Sequence, residues 1–286
     1  LLPNQRFIKI RENTFGQTLT FNGQKWSGKK GVLKIVSAFY NTTSFIIDRK
    51  IRRANEDFNI NPFKDGKQNQ LGLLLNFRNT LFFNRGKQRY TTNYTYLNTA
   101  TDNLQSLGLQ SSKLESHQLN FTHKFGKNWL LIAKGISGTN KSISENFQAR
   151  NYILETLDIN PKISYLLNSQ TRFDVFYNSV SKENTINGLE VLSQQKLGAS
   201  FAYANAEKIS INGEFSFIDN AFKGNAFSPV AYQMLEGLQP GNNYTWRLLF
   251  QKRTTKYLDA NLNYNGRKSQ TSNTVHTGSL QLRAFF

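Results

Sequence analysis

Apolar and polar residues alternate along most of this chain with a period of two. At its end Leu280, Leu282, Ala284 and Phe286 share one parity, while Ser279, Gln281 and Arg283 share the other. Upstream, Leu258, Ala260, Leu262 and Tyr264 alternate with Asp259, Asn261 and Asn263, and Tyr244, Trp246, Leu248 and Phe250 alternate with Thr245, Arg247 and Gln251. The same pattern runs through Ile209, Ile211, Phe215 and Phe217, through Leu197, Ala199, Phe201 and Tyr203, and through Thr171, Phe173, Val175 and Tyr177. Alternation sustained over about ten residues marks a β-strand whose two faces meet unlike surroundings. A helix would scatter these residues around its axis.

The connections alternate as well. Strands are expected near 71–83, 88–98, 114–125, 129–137, 156–166, 170–180, 192–204, 208–219, 244–253 and 257–266, with a last one ending at Phe286. Short turns such as 84–87, 126–128, 167–169, 205–207 and 254–256 alternate with long polar stretches at 54–70, 99–113, 138–151, 181–191, 220–243 and 267–273. That rhythm predicts an all-β fold, a transmembrane antiparallel up-and-down β-barrel with short periplasmic turns and long extracellular loops. Segments 32–40 and 44–53, with a turn at 41–43, add two strands, and 6–21 adds one. The total is about 14, an even number that puts both termini in the periplasm. A soluble β-sandwich has shorter strands and turns its apolar face inward. The chain reads as one barrel domain over 1–286, with poorer alternation in its strands over 1–70, and is expected to be the C-terminal part of a longer protein.

Composition fits this picture once the pattern is known. The 286 residues carry 36 basic and 18 acidic side chains, a net charge of +18, with no cysteine. The mean hydropathy is −0.53. No apolar run approaches the roughly 18 residues of a membrane helix. Thiol catalysis, zinc–cysteine sites and disulfides are excluded. Aromatic residues make up 13% of the chain, too many for a disordered one. A barrel whose strands face lipid on one side and water on the other has this averaged, hydrophilic look.

On that reading the polar parity lines the lumen, with Arg78, Lys134, Arg172, Asp174, Lys196, Glu214, Arg247, Asp259 and Arg283 as its charged candidates. Basic residues outnumber acidic ones there, so a water-filled lumen favours anions, unless the charges pair and fill it. Aromatic residues near strand ends, among them Tyr90, Trp129, Tyr165, Trp246 and Tyr264, fit girdles at the lipid headgroups. Basic turns around Arg85, Lys124, Lys127, Lys208 and Lys252 fit contacts with phospholipid headgroups. The charge is spread over turns and rims without a binding motif, so nucleic acid is not an expected partner.

Catalysis is not expected. His117, His123 and His276 are the only histidines. A lipase-like pairing of His123 or His276 with a serine lacks a carboxylate or amide that orients the ring. Glu56, Asp57 and Asp65 read as solvated loop acids rather than a calcium site. No cofactor or metal is expected.

Two features point to partners. Leu280, Leu282, Ala284 and Phe286 resemble the C-terminal signal that outer-membrane barrels present to the barrel assembly machinery, where an edge strand augments an open sheet. The long stretch 220–243 carries Phe222, Phe227, Tyr232 and Met234, apolar material that predicts a plug in the lumen or a contact with another outer-membrane or surface protein.

The motifs Leu235-Glu-Gly-Leu-Gln-Pro-Gly241, Asn243-Tyr-Thr-Trp246, Asn263-Tyr-Asn-Gly-Arg267 and Thr274-Val-His-Thr-Gly278 resemble the C-terminal end of large outer-membrane proteins of the Bacteroidetes. The resemblance implies a barrel in the outer membrane of a Gram-negative envelope and a longer precursor. It carries no catalytic residues across. The expected function is a membrane anchor or structural subunit of an outer-membrane assembly, its loops serving as contact surfaces. The alternative is a porin-like or transport barrel passing solutes or polypeptide through a basic lumen.

Overall fold

The computed structural model describes residues 10–28, 30–52, 70–86, 89–105, 108–186, 190–205, 208–255 and 258–284. They form thirteen strands in one sheet, each strand hydrogen-bonded to its neighbours in sequence. The strands are β1 (Ile10–Asn22), β2 (Phe39–Arg52), β3 (Gln70–Phe83), β4 (Tyr90–Gln105), β5 (Gly108–Phe125), β6 (Trp129–Ser144) and β7 (Tyr152–Leu166). They continue as β8 (Thr171–Asn184), β9 (Val191–Asn205), β10 (Ile209–Lys223), β11 (Gly241–Thr255), β12 (Leu258–Ser269) and β13 (Val275–Ala284). Every pairing is antiparallel. The fold is therefore all-β and up-and-down, with two short helices, α1 (Val32–Val36) and α2 (Pro229–Leu235).

Register keeps the two faces in phase across the sheet. One row runs Ile163, Val175, Ala199, Phe215, Trp246, Gly266 and His276 from β7 to β13. A parallel row joins Leu81, Tyr94, Leu119, Gly135 and Ile159. A slip of one residue would turn a strand's apolar set to the other face, so this agreement is a strong constraint. The apolar face is the exposed one: Leu119, Leu157, Val175, Leu197, Phe215, Leu280 and Leu282 each keep at least half of their surface open. Buried residues on the other face include Thr80, Thr95, Ser116, Ser164, Asp174, Asn178, Ser216 and Asn220. This polar face is called the sheltered face below. The burial is inverted relative to a soluble sandwich.

The apolar band crosses the rows at a slant. The row through Ile163 reaches β13 at His276, while exposed Leu282 lies six residues further along β13. That is about one residue per strand. With ~3.3 Å per residue and ~4.8 Å between strands, the band is inclined by ~35° to the register rows.

Beyond the band, the strands persist where both faces are polar. Tyr96 donates to Glu115 at 3.0 Å, and Lys113 pairs with Glu115 at 3.2 Å, all on the exposed face. The stretch 99–113, expected as a loop, is for the most part the ends of β4 and β5, and 138–144 and 181–184 are strand as well.

The N-terminal third departs from expectation. Residues 32–36, expected in a strand, form α1, and the expected turn at 41–43 lies inside the continuous strand β2. The link between β1 and β2 is a compact excursion, because Asn22 must meet Tyr40 across the ladder. A 3-10 turn at Gly23–Trp26 and α1 fold it back, and Gly23 packs so closely that a Cβ would lie 2.0 Å from the Val36 carbonyl oxygen. A strand there would overshoot its partner. The described strands number thirteen. β1 starts with Ile10 opposite Arg52, at the long-loop end, whereas β13 finishes with Ala284 opposite Leu258, at the short-turn end. β1 and β13 therefore run in the same direction, and residues 1–9, which include the start of the strand expected over 6–21, lie outside the described residues.

Two glycines of β6 test the packing. A Cβ on Gly138 would stand 2.3 Å from the Glu115 carbonyl oxygen and 2.9 Å from the Ser116 Cα, whereas one on Gly135 meets nothing within 4 Å. Gly138→Ala should lower stability by about 1–3 kcal/mol through backbone displacement in β5. Gly135→Ala should change it by no more than about 0.5 kcal/mol. Thermal unfolding followed by circular dichroism in detergent checks both.

Candidate functional site: a charged face with a docked helix

The sheltered face of the sheet combines charged rows with one apolar patch. Register places all nine charged residues expected to line a lumen on this face. Four of them pair with one another. Arg172 Nε lies 3.1 Å from Asp174 Oδ2, a buried carboxylate that also accepts from Ser200 at 3.1 Å. Lys196 Nζ lies 3.5 Å from Glu214 Oε1, and Ser216 donates to the same oxygen at 3.3 Å. A fifth, Asp259, pairs at 3.4 Å with Arg253, and Lys50 pairs with Glu12 at 3.0 Å. Asp158 accepts from the Asn178 amide.

Arg78, Lys134, Arg247 and Arg283 have no carboxylate within ion-pair distance among the described residues. Arg267, opposite Thr245, shares their face and their lack of an ionic partner. The alternation carries Arg267 onto this face once β12 is extended to Ser269, beyond its expected end.

At the long-loop end the face is covered by α2. Ser228 caps its N-terminus by accepting from the Ala231 N–H at 3.0 Å, and Pro229 occupies the first turn. Glu236, in the left-handed region with φ 55°, and Gly237, with φ 77°, stop it. That conformation is unfavourable for glutamate. Lys182 of β8 compensates by donating to the Met234 carbonyl at 3.0 Å and to Glu236 Oε1 at 2.7 Å, a cation set at the negative end of the helix.

The packing is apolar. Val230, Ala231, Met234 and Leu235 are buried against Leu154 and Leu192, with Tyr152 and Phe222 beside them. Met234 and Ala231 are 0% exposed. Removing a side chain such as Met234 from water contributes about 1.5–3 kcal/mol. Three buried asparagines hold the loop's shoulders. Asn184 donates to Glu190 at 2.8 Å, and Glu190 accepts from Ser228 at 3.3 Å. Asn220 donates to the Gln239 carbonyl at 3.0 Å, and Asn243 donates to the same carbonyl at 2.8 Å.

Of the four loop residues singled out by sequence, Met234 and Phe222 belong to this packed patch. Phe227, 94% exposed, and Tyr232, 71% exposed, point away from it. Leu280, Leu282 and Ala284 of the C-terminal signal lie on the exposed face of the edge strand β13, and Phe286 lies outside the described residues. So do Glu56, Asp57 and Asp65. The histidines are on the exposed face in aromatic settings. Nδ1 of His117 is 2.6 Å from the Tyr94 hydroxyl, and Nδ1 of His276 is 2.8 Å from that of Tyr264. His123 stacks between Phe121 and Phe125.

No protein-family model and no curated protein matches this chain. Among solved structures it is similar to the transport unit of the autotransporter AIDA-I from Escherichia coli, with 13% identity and a TM-score of 0.35, over 100% of this chain and 92% of that one.

Proposed function

We propose that this chain is an outer-membrane β-barrel that works as a membrane anchor or as a structural subunit of an outer-membrane assembly. Its long-loop end faces outward and offers contact surfaces, and β13 ends on the periplasmic side. The apolar side of the sheet being the exposed side supports the membrane reading. So does the ~35° slant of the apolar band, which matches the inclination of strands in transmembrane barrels. At the short-turn end, aromatic rings cluster as in a headgroup girdle, with Phe125 stacked on Trp129 and Trp129 packed on Tyr165. The basic turns lie at the same end, at the level of the headgroups.

The observation that carries the anchor reading over an open pore is α2, seated by four buried apolar side chains on the sheltered face. A pore lining does not need an apolar patch, and a loop held by Lys182 and three asparagines is not a passing contact. Phe227 and Tyr232, left outward by the same docking, are the surface for a partner protein. The second reading, a channel for solutes or polypeptide, draws on the cations of the sheltered face that lack ionic partners.

Two measurements test this. The protein should fractionate with outer membranes and run with heat-modifiable mobility; recovery as a soluble species without detergent would end the membrane reading. In planar bilayers the intact protein should conduct little after verified insertion. Deleting 225–240, or Met234→Ala, which costs α2 docking about 2–5 kcal/mol, should raise the conductance. Steady current scaling with salt through the intact protein would favour the channel instead.

A further inference from the structure

We propose that the sheltered face carries a binding site for a small, water-soluble oxyanion of the phosphate or carboxylate class, between β11 and β12, with Arg247 and Arg267 as its charged ligands. Arg247 stands opposite Asn265, and Arg267 stands opposite Thr245, so the two arginines are one diagonal step apart on adjacent strands. Together with Glu214, Thr245, Asn265 and Thr277 they line a cavity of about 530 Å³.

The charge balance of this cavity is what asks for a ligand. Its single carboxylate, Glu214, is engaged by Lys196 at 3.5 Å and by Ser216 at 3.3 Å. Asp174, Asp259 and Glu12 on the same face are each engaged by another cation. Among the described residues neither Arg247 nor Arg267 has a carboxylate within ion-pair distance, and Glu214, which faces Arg247 across the ladder, is turned to Lys196. Like charges on neighbouring strands repel, and the repulsion is relieved by an anion that both can grip. Each guanidinium offers planar, paired N–H donors that fit the oxygens of a phosphate or carboxylate in bidentate fashion. The Asn265 amide and the hydroxyls of Thr245 and Thr277 add neutral donors on the same face. That face is the polar one, turned away from the apolar band, so the anion arrives from water and not from a lipid headgroup. The site depends on the register of β10 to β13, and holds whether the barrel is an anchor or a channel.

Inorganic pyrophosphate titrated calorimetrically into the detergent-solubilised protein at low salt is the test. Saturable binding to one site is expected. Arg247→Gln and Arg267→Gln should each weaken it by about tenfold or more, through loss of a charge-assisted contact. Both together should abolish it. Arg78→Gln, which removes a cation of the same face on β3, should leave it unchanged. Heat-modifiable mobility, preserved in every variant, separates loss of binding from loss of fold. Absence of saturable binding overturns the proposal, and so does a loss as large in Arg78→Gln as in the other two, since that would be the diffuse field of a basic face.

Discussion

The antiparallel hydrogen-bond ladder is the constraint on which the rest of this structure depends. The thirteen described strands share one sheet, and each row of side chains stays on one face from strand to strand. Because the side-chain period is two, the ladder and the hydrophobic pattern cannot be satisfied separately. The register that pairs Ile163 with Val175 and Phe215 with Trp246 also pairs Ser164 with Asp174 and Glu214 with Arg247. One alignment therefore builds the apolar face and assembles the charged one. No separate device is needed to bring Arg172, Asp174 and Ser200 together, or Lys196 and Glu214.

The sheltered face then resolves into two territories. In one, acids and bases pair along β8 to β12, with Arg247 and Arg267 left without an ionic partner. In the other, α2 turns polar strand ends into a small apolar core around Leu154 and Leu192. The helix is too short to be stable alone. It exists because a serine–proline start, a left-handed stop and Lys182 satisfy its ends while the sheet buries its apolar side. Asn184, Asn220 and Asn243, each no more than 1% exposed, do for the loop backbone what ladder partners do for a strand. An unsatisfied buried amide would cost about 1–3 kcal/mol at each of these positions.

Much of this was legible in the sequence wherever the two faces differ. From β7 to β13 the alternation located the strands and put the charged residues on one face. It faded where that contrast fades. Beyond the apolar band, Tyr96, Lys113 and Glu115 make the exposed face polar too, so strand ends read as loops. Asn41 and Thr43 read as a turn, yet they sit in a cross-strand polar cluster with Asn79, whose amide donates to Thr43 at 2.6 Å. The run 32–36 is apolar and β-branched, and five residues are too few for periodicity to separate a helix from a strand. The docking of α2 was anticipated only as apolar content in a long loop. Which of its residues turn inward was set by helical spacing and by Lys182, a residue far away in sequence.

The ladder also imposes a condition on its own ends. β1 and β13 are the edges of the described sheet, and with an odd number of described antiparallel strands they run in the same direction. In lipid, an edge of unpaired N–H and C=O groups costs several kcal/mol for each group, and closed barrels are the sheets that avoid it. Closure of these thirteen strands on themselves would join β1 to β13 in parallel. A strand lying between the two would instead be antiparallel to both and would continue the up-and-down order. To match its neighbours it would have to put apolar residues beside Phe15 and Leu19 on one edge and beside Leu280 and Leu282 on the other, all exposed on the apolar face. The parity of the strands thus decides what any closure must look like, by the same period-two logic that built the sheet.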